Sequence, residues 1–127
     1  MIVFDASAAL HGLLNDGDAR RLLATEVVMV PHLIDTELTH ALRDQVLRAA
    51  VPETDAARAL DRWRTLGLGR VASVGLLGRV WALRENLTSY DATFVALAEA
   101  LECALVTADR RLGGAPGPTC PITVVRS

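Results

Sequence analysis

Lysine is absent from this chain of 127 residues, and all thirteen basic residues are arginine. That absence excludes a nucleotide-binding P-loop, which needs a glycine-rich loop ending in lysine to reach the phosphates. Neither Gly12 nor the Gly113-Gly114 pair lies in such a loop. Cysteine is scarce: Cys103 and Cys120 lie far apart in sequence, with no second thiol or histidine at ligand spacing, so neither reads as half of a zinc site, and idle or buried thiols are expected. No apolar run approaches membrane-spanning length, and Met1-Ile2-Val3-Phe4 meets Asp5 without a basic leader. The sequence is therefore expected to carry no secretory signal, to have no dealings with a membrane and to reside in the cytoplasm. Net charge is only −2, which neither supports nor excludes a polyanionic partner.

What is present is apolar. Half the residues are hydrophobic (51%), alanine and leucine dominate, and few are aromatic, the composition of a compact enzyme-like domain. The length suits one domain over residues 1–127. Ile2-Val3-Phe4 is a short strand passing at Asp5 into the helix-forming Ala6-Ser7-Ala8-Ala9-Leu10. Asp18 to Thr25 suits a second helix, Val27 to Val30 a buried strand stopped by Pro31, and Leu33 to Ala50 a long helix, with Pro52 closing the segment. A helix from Glu53 to Leu66, a strand at Val71-Ala72-Ser73-Val74 and a helix from Leu76 to Glu85 are expected next. Ser89 then caps a helix running to Glu102 with Phe94, Val95, Ala98 and Leu101 facing inward. Ala104 to Thr107 reads as a strand, Gly113 to Pro121 as a loop, and Ile122 to Val125 as a last strand. Short continuous apolar strands alternating with helices predict a mostly parallel sheet covered on both faces, an α/β/α sandwich.

Four acids occupy unusual places: Asp5, Glu37, Asp91 and Asp109 each fall where a hydrophobic element begins, ends or turns its buried face inward. A carboxylate beside an apolar core is costly unless a basic side chain or a metal ion neutralises it. Without lysine the choice lies between arginine pairs and a hard cation such as Mg²⁺ or Mn²⁺. Taken singly, each acid reads equally well as a helix cap or an arginine partner. Together they point to a cluster, because functional groups of open parallel sheets collect beyond the carboxyl ends of the strands, where Asp5 and Asp109 lie. Glu37 and Asp91 stand beside the inward stripes of their helices. Clustered carboxylates resist ionising together unless cations intervene, and a divalent ion in such a pocket suits hydrolysis of a phosphodiester.

The segments Ile2-Val3-Phe4-Asp5-Ala6-Ser7-Ala8, the helical Glu37, Ser89-Tyr90-Asp91-Ala92-Thr93-Phe94-Val95-Ala96-Leu97-Ala98-Glu99 and Leu105-Val106-Thr107-Ala108-Asp109-Arg110-Arg111-Leu112 together resemble a PIN domain, and more narrowly the VapC toxins of type II toxin–antitoxin pairs. The likeness spans nearly the whole chain. It implies a PIN-like sandwich and an endoribonuclease in which Asp5, Glu37, Asp91 and Asp109 hold Mg²⁺ or Mn²⁺ and cleave structured RNA such as tRNA or rRNA, while the hydroxyls of Ser7 and Thr107 support the site. It also implies silencing by a VapB-type antitoxin, a homodimer, and a toxin–antitoxin hetero-oligomer. Where some relatives carry a further acid after the last aspartate, this chain has Gly113 and Gly114, so one ion and two fit the sequence equally. A non-catalytic PIN-like module, its acids binding a structural cation or a partner's arginine, is the alternative. Receiver domains and haloacid-dehalogenase-type phosphatases also place an aspartate after the first strand, but both rely on a lysine.

Other features carry less. His32 and His40 lie eight positions apart on one helix, roughly 12 Å at 1.5 Å per residue, too far to share a metal, and are expected to face solvent. Asp35 points to another side of the helix than Glu37 and reads as a salt-bridge partner. Trp63 and Trp81 read as core or interface residues before they read as stacking platforms for RNA. Arg20, Arg21, Arg43, Arg48, Arg84, Arg110 and Arg111 are candidates for phosphate contact, with Arg110 and Arg111 first because they adjoin Asp109. Leu13, Leu14, Leu22, Leu23 and Leu33 suit either a helix-binding groove or the core.

Overall fold

The structure is a computed structural model and describes residues 1–126. Its centre is a five-stranded, wholly parallel sheet in the order β3-β2-β1-β4-β5. Strand β1 (Ile2–Phe4) lies in the middle, its residues in register with Val28 and Met29 of β2 (Val28–Pro31) on one side. On the other side Ile2, Val3 and Phe4 face Ala104, Leu105 and Val106 of β4 (Ala104–Thr107). A strand paired on both edges and covered on both faces has no solvated side, which is why Val3 and Phe4 are fully buried and the sequence shows no polar alternation there.

The helices form two layers. Helix α1 (Ala6–Leu14) packs against α2 (Asp18–Thr25), α3 (Leu33–Leu47) and α4 (Glu53–Thr65). Gly12 permits the approach of α2, since a Cβ there would stand 2.9 Å from Leu23 Cδ1. Across the sheet, α6 (Ser89–Ala100) lies over β1, β2 and β4 with α5 (Leu77–Ala82) behind it. Helix α6 is buried on every side from Ala92 to Ala98, which explains why its apolar residues do not form a single stripe. The leucines that suited a groove belong to the core: Leu13 and Leu23 are buried, and Leu14, Leu22 and Leu33 pack on it.

Several boundaries differ from the sequence reading. The third strand is β3 (Gly69–Val71), not Val71 to Val74. The Met29 side chain lies over Gly69, so that a Cβ there would stand 2.4 Å from its sulfur and the thioether would have to move. Val74 instead opens a 3₁₀ turn (Val74–Leu76) and is 77% exposed. The helix expected from Leu76 to Glu85 shortens to α5, as Gly75 and Gly78 weaken helix there. Helix α3 stops at Leu47, before Ala49 takes a positive φ. The cap of α6 is Thr88, with Ser89 already helical. Strand β5 (Ile122–Val124) follows a four-residue α7 (Arg110–Gly113). Among the described residues no helix is long and apolar enough to cross a membrane.

Candidate active site

The strand order reverses direction of travel between β1 and β4, and the crevice beyond their carboxyl ends is the place where an open parallel sheet leaves room for a ligand. Asp5 follows β1 directly, caps α1, and is 5% exposed. Its Oδ1 accepts from the Ala8 amide (2.9 Å) and the Ser7 hydroxyl (2.7 Å), and its Oδ2 accepts a short hydrogen bond from the Thr107 hydroxyl. Burial pushes the Asp5 carboxyl above the usual carboxylate range; these hydrogen bonds pull it back, and the negative Asp91 adds to the upward push.

Ser7 and Thr107 are themselves fixed. The Ala108 amide donates to Ser7 Oγ (3.0 Å), and the Asp109 amide donates to Thr107 Oγ1 (3.0 Å). Each hydroxyl therefore accepts from the β4–α7 turn and gives its proton to Asp5, so the 3.2 Å contact between the two oxygens needs no proton of its own. Through these bonds the two hydroxyls tie the end of β1 to the end of β4.

Glu37 projects from α3, between the fully buried Ile34 and Leu38. Its Oε1 is buried and has no hydrogen-bond partner. Burial, then the negative charges of Asp91 and Asp5, push its carboxyl up to about 7. Asp91 stands in the first turn of α6, its amide bonded to Thr88 Oγ1 (3.1 Å), and is pushed up by burial and then by Asp109, while Thr88 and Arg111 pull it down. Asp109 caps α7 and is held low by Arg111, whose amide and guanidinium donate to it at 2.9 to 3.3 Å. Asp5, Glu37 and Asp91 thus share one electrostatic field, and Asp109 joins it through Asp91. The four come from both helical layers and from two strand ends.

As they stand, no three His, Cys, Asp or Glu side chains among the described residues draw close enough to chelate one ion. The carboxylates of Asp5 and Asp109 are each tethered to a backbone amide, of Ala8 and Arg111 respectively. The donor set still fits a hard divalent cation: all oxygen, excess negative charge, and one buried carboxylate oxygen without a partner. Beside Asp91 and Asp109 a cleft of about 220 Å³ opens, lined also by Asn86, Thr88, Arg111 and Ala115. Asn86 escaped the sequence reading because a lone amide between helices carries no signal.

The other candidates separate cleanly. Asp35 binds Arg70 through both oxygens (2.8 Å each) and accepts from Trp63 Nε1 (2.8 Å), so it fastens α3 to α4 and β3 and takes no part in the cluster. Trp63 is core, whereas Trp81 is 68% exposed with Arg84 stacked 4.6 Å above its ring. Arg20 turns inward to the α1 carbonyls of Gly12 and Leu13 (2.9 Å each) and so serves as a helix cap. Arg21 pairs with Asp18 and Arg43 with Asp44. Arg110 is exposed; Arg111 is exposed but already engaged with Asp109. His32 and His40 face solvent as expected. At Gly113 a Cβ would meet Val124 Cγ2 at 2.6 Å, so a further acid there would have to displace β5.

Comparison with known proteins follows the same lines. The family model for the PIN domain matches residues 2–117. Ribonuclease VapC9 of Mycobacterium tuberculosis is 55% identical over 125 residues, covering 98% of each chain. Among solved structures, PAE2754 from Pyrobaculum aerophilum superposes with a TM-score of 0.75 at 24% identity, covering 95% of this chain and 81% of that one. VapBC2 from Rickettsia felis, solved bound to a DNA fragment from its promoter, gives a TM-score of 0.69 at 14% identity and covers 98% of both chains.

Proposed function

The chain belongs to the PIN-domain family and within it to the VapC ribonucleases, and from that premise we propose that it is a metal-dependent endoribonuclease toxin whose catalytic acids are Asp5, Glu37, Asp91 and Asp109. PIN-domain ribonucleases generally use a divalent metal; in this chain those four carboxylates would hold it, as Mg²⁺ or Mn²⁺. The substrate is structured RNA such as tRNA or rRNA, and a VapB-type antitoxin silences the enzyme as a homodimer within a hetero-oligomer. The single domain 1–127 carries the whole activity, in the cytoplasm.

One observation carries the assignment of the acids. Glu37, coming from the opposite helical layer to Asp91, is pushed up to about 7 by burial and by Asp91 and Asp5, and its Oε1 has no partner. An ordinary structural acid is not left that way, since an unsatisfied buried acceptor costs about 1–3 kcal/mol. When bound, the divalent ion supplies the positive charge that acidifies water and stabilises the charge growing on the phosphodiester oxygens. The chain's own residues do the rest. Ser7 and Thr107 hold both Asp5 oxygens in one orientation. Glu37, whose Oε1 has no partner, adds an unpaired carboxylate to the set that would hold the ion. Arg110 and Arg111 face the phosphate backbone as it enters the cleft beside Asp109, where guanidinium forks grip phosphate.

The test is direct. Purified protein is incubated with tRNA and rRNA fragments in Mg²⁺ or Mn²⁺, with and without chelator, beside Asp5→Asn and Asp91→Asn. Cleavage is expected only in the wild type with metal. Cleavage that survives chelation, or that persists in either variant, overturns the assignment; metal binding with no cleavage of any RNA supports the non-catalytic module instead.

A further inference from the structure

The two cysteines, distant in sequence, meet at the edge of the sheet opposite the acids. The β4–β5 ladder runs from Leu105 beside Ile122 to Thr107 beside Val124, and the Leu105 amide donates to the Pro121 carbonyl (2.9 Å). Continued two residues beyond the ladder along both parallel chains, that register would bring Cys103 level with Cys120, and the two do line one cleft. Neighbouring strands lie about 4.8 Å apart, inside the range of about 4.4–6.8 Å between Cα atoms that a disulfide spans. Both thiols line one cleft of about 370 Å³ with Ala98, Glu99, Glu102 and Thr119, and both are partly exposed, so a small oxidant reaches them.

Nothing else claims these thiols. The cleft they line offers two carboxylates, Glu99 and Glu102, but no histidine and no third thiol of the kind a zinc site uses. Glu99 is committed to Arg79 (2.6 and 3.1 Å) and to the Thr119 amide (2.8 Å), which fixes the loop that carries Cys120. Cys103 is fixed too, its amide bonded to the Ala98 carbonyl at the end of α6 (3.0 Å).

We propose that Cys103 and Cys120 are an oxidisable dithiol that closes to an intramolecular disulfide, stapling the start of β4 to the start of β5. The segment so bracketed contains Thr107, Asp109 and Arg111, so closure fixes the ends of the turn that supplies one of the four acids, Asp109, and the hydroxyl of Thr107 that holds Asp5. The chemistry balances with a peroxide as oxidant. One thiol sulfur attacks the peroxide to give a sulfenic acid and water; the other displaces the hydroxyl of that sulfenic acid, forming the S–S bond and releasing a second water. Burial raises both thiols above the usual range, so thiolate is scarce at neutral pH and closure is slow, a response to sustained oxidant.

Reduced full-length protein, treated with hydrogen peroxide and then alkylated, is expected to lose about 2 Da in intact mass while staying a single chain on a non-reducing gel. Trypsin, which cuts at Arg110 and Arg111, then leaves Glu85–Arg110 joined to Leu112–Arg126 until reductant is added. Circular dichroism melting is expected to rise by roughly 5 °C or more on closure, and Cys120→Ser is expected to show neither the cross-link nor the rise. Two thiols still titratable after treatment, oxidation only to sulfinic or sulfonic acids, or cross-links only between chains would each overturn the proposal.

Discussion

Neutralising Glu37 is expected to stabilise the metal-free protein while destroying its function. The carboxyl lies at about 7 in the folded protein against 4.5 in the unfolded chain. A group whose folded pKa is raised binds its proton more tightly in the native state, so its contribution to stability is complete below pH 4.5 and is lost as pH rises through 7. Taken at face value the displacement corresponds to about 3 kcal/mol; for a half-buried acid screened by solvent, about 1–2 kcal/mol is the expected size. Repulsion among Glu37, Asp91 and Asp5 is mutual, and the penalty is expressed by the acid that ionises last. Glu37→Gln keeps the shape and mimics the protonated form. In chelator at pH 8 the variant is expected to melt roughly 3–8 °C above the wild type at equal protein concentration. At pH 4.5 the two should coincide. Addition of Mg²⁺ or Mn²⁺ at pH 8 should raise the wild type more than the variant, because the ion relieves a repulsion the variant no longer has. The assay is scanning calorimetry across pH, with chelator and with metal, alongside RNA cleavage, which the variant should lack. A variant that melts below the wild type at pH 8 in chelator, or a gap that does not change with pH, refutes the reasoning.

Asp5→Asn should behave in the opposite sense: it leaves the Ser7 or Thr107 hydroxyl facing an amide donor inside the protein, and a loss of about 1–3 kcal/mol in urea unfolding is expected along with loss of cleavage. Thr107→Val removes both the donor to Asp5 and the acceptor of the Asp109 amide without changing side-chain shape, so it should cost a similar amount and lower cleavage without abolishing metal-induced stabilisation. Asp35→Asn should lower stability by about 1–2 kcal/mol through loss of the Arg70 fork, yet leave cleavage per folded molecule unchanged, since Asp35 stands outside the acidic cluster; a cleavage defect at a temperature where the variant is fully folded would contradict this.

How much of this was legible in the sequence depended on what signalled each feature. Strand β1 and the junction at Asp5 were legible because a β-branched and aromatic run meets a cap and then a row of alanines, and nothing in the packing competes with those local preferences. Strand β3 was misplaced because it is set by pairing with β2, Met29 beside Gly69 and Pro31 beside Val71, and local propensity disfavours a strand beginning at glycine. The Asp35–Arg70–Trp63 fastening was half legible: Asp35 read as a salt-bridge partner, but its partner lies 35 positions away. The thiols read only as idle or buried, whereas both are partly exposed and line one cleft, a proximity that rests on strand register, which no local pattern encodes.

The same local chemistry explains which acids are structural and which are free for work. Asp35 and Glu99 each receive a bidentate arginine, and both are drawn below the usual carboxylate range. Asp5, Glu37 and Asp91 receive none, and all three are pushed above it. In a chain without lysine, withholding arginine from three acids that share one field leaves a demand for positive charge which the fold itself does not meet. Asp109 is the graded case. Its arginine, Arg111, has a side chain 92% exposed and lies at 3.3 Å, so the pair is a weak surface contact from which either member is readily released. The site is thus built with one acid lightly held and three unpaired. On the proposed reading, Asp5, Glu37 and Asp91 would hold a cation without displacing any arginine, and Arg111 would be free to meet phosphate were Asp109 to join them.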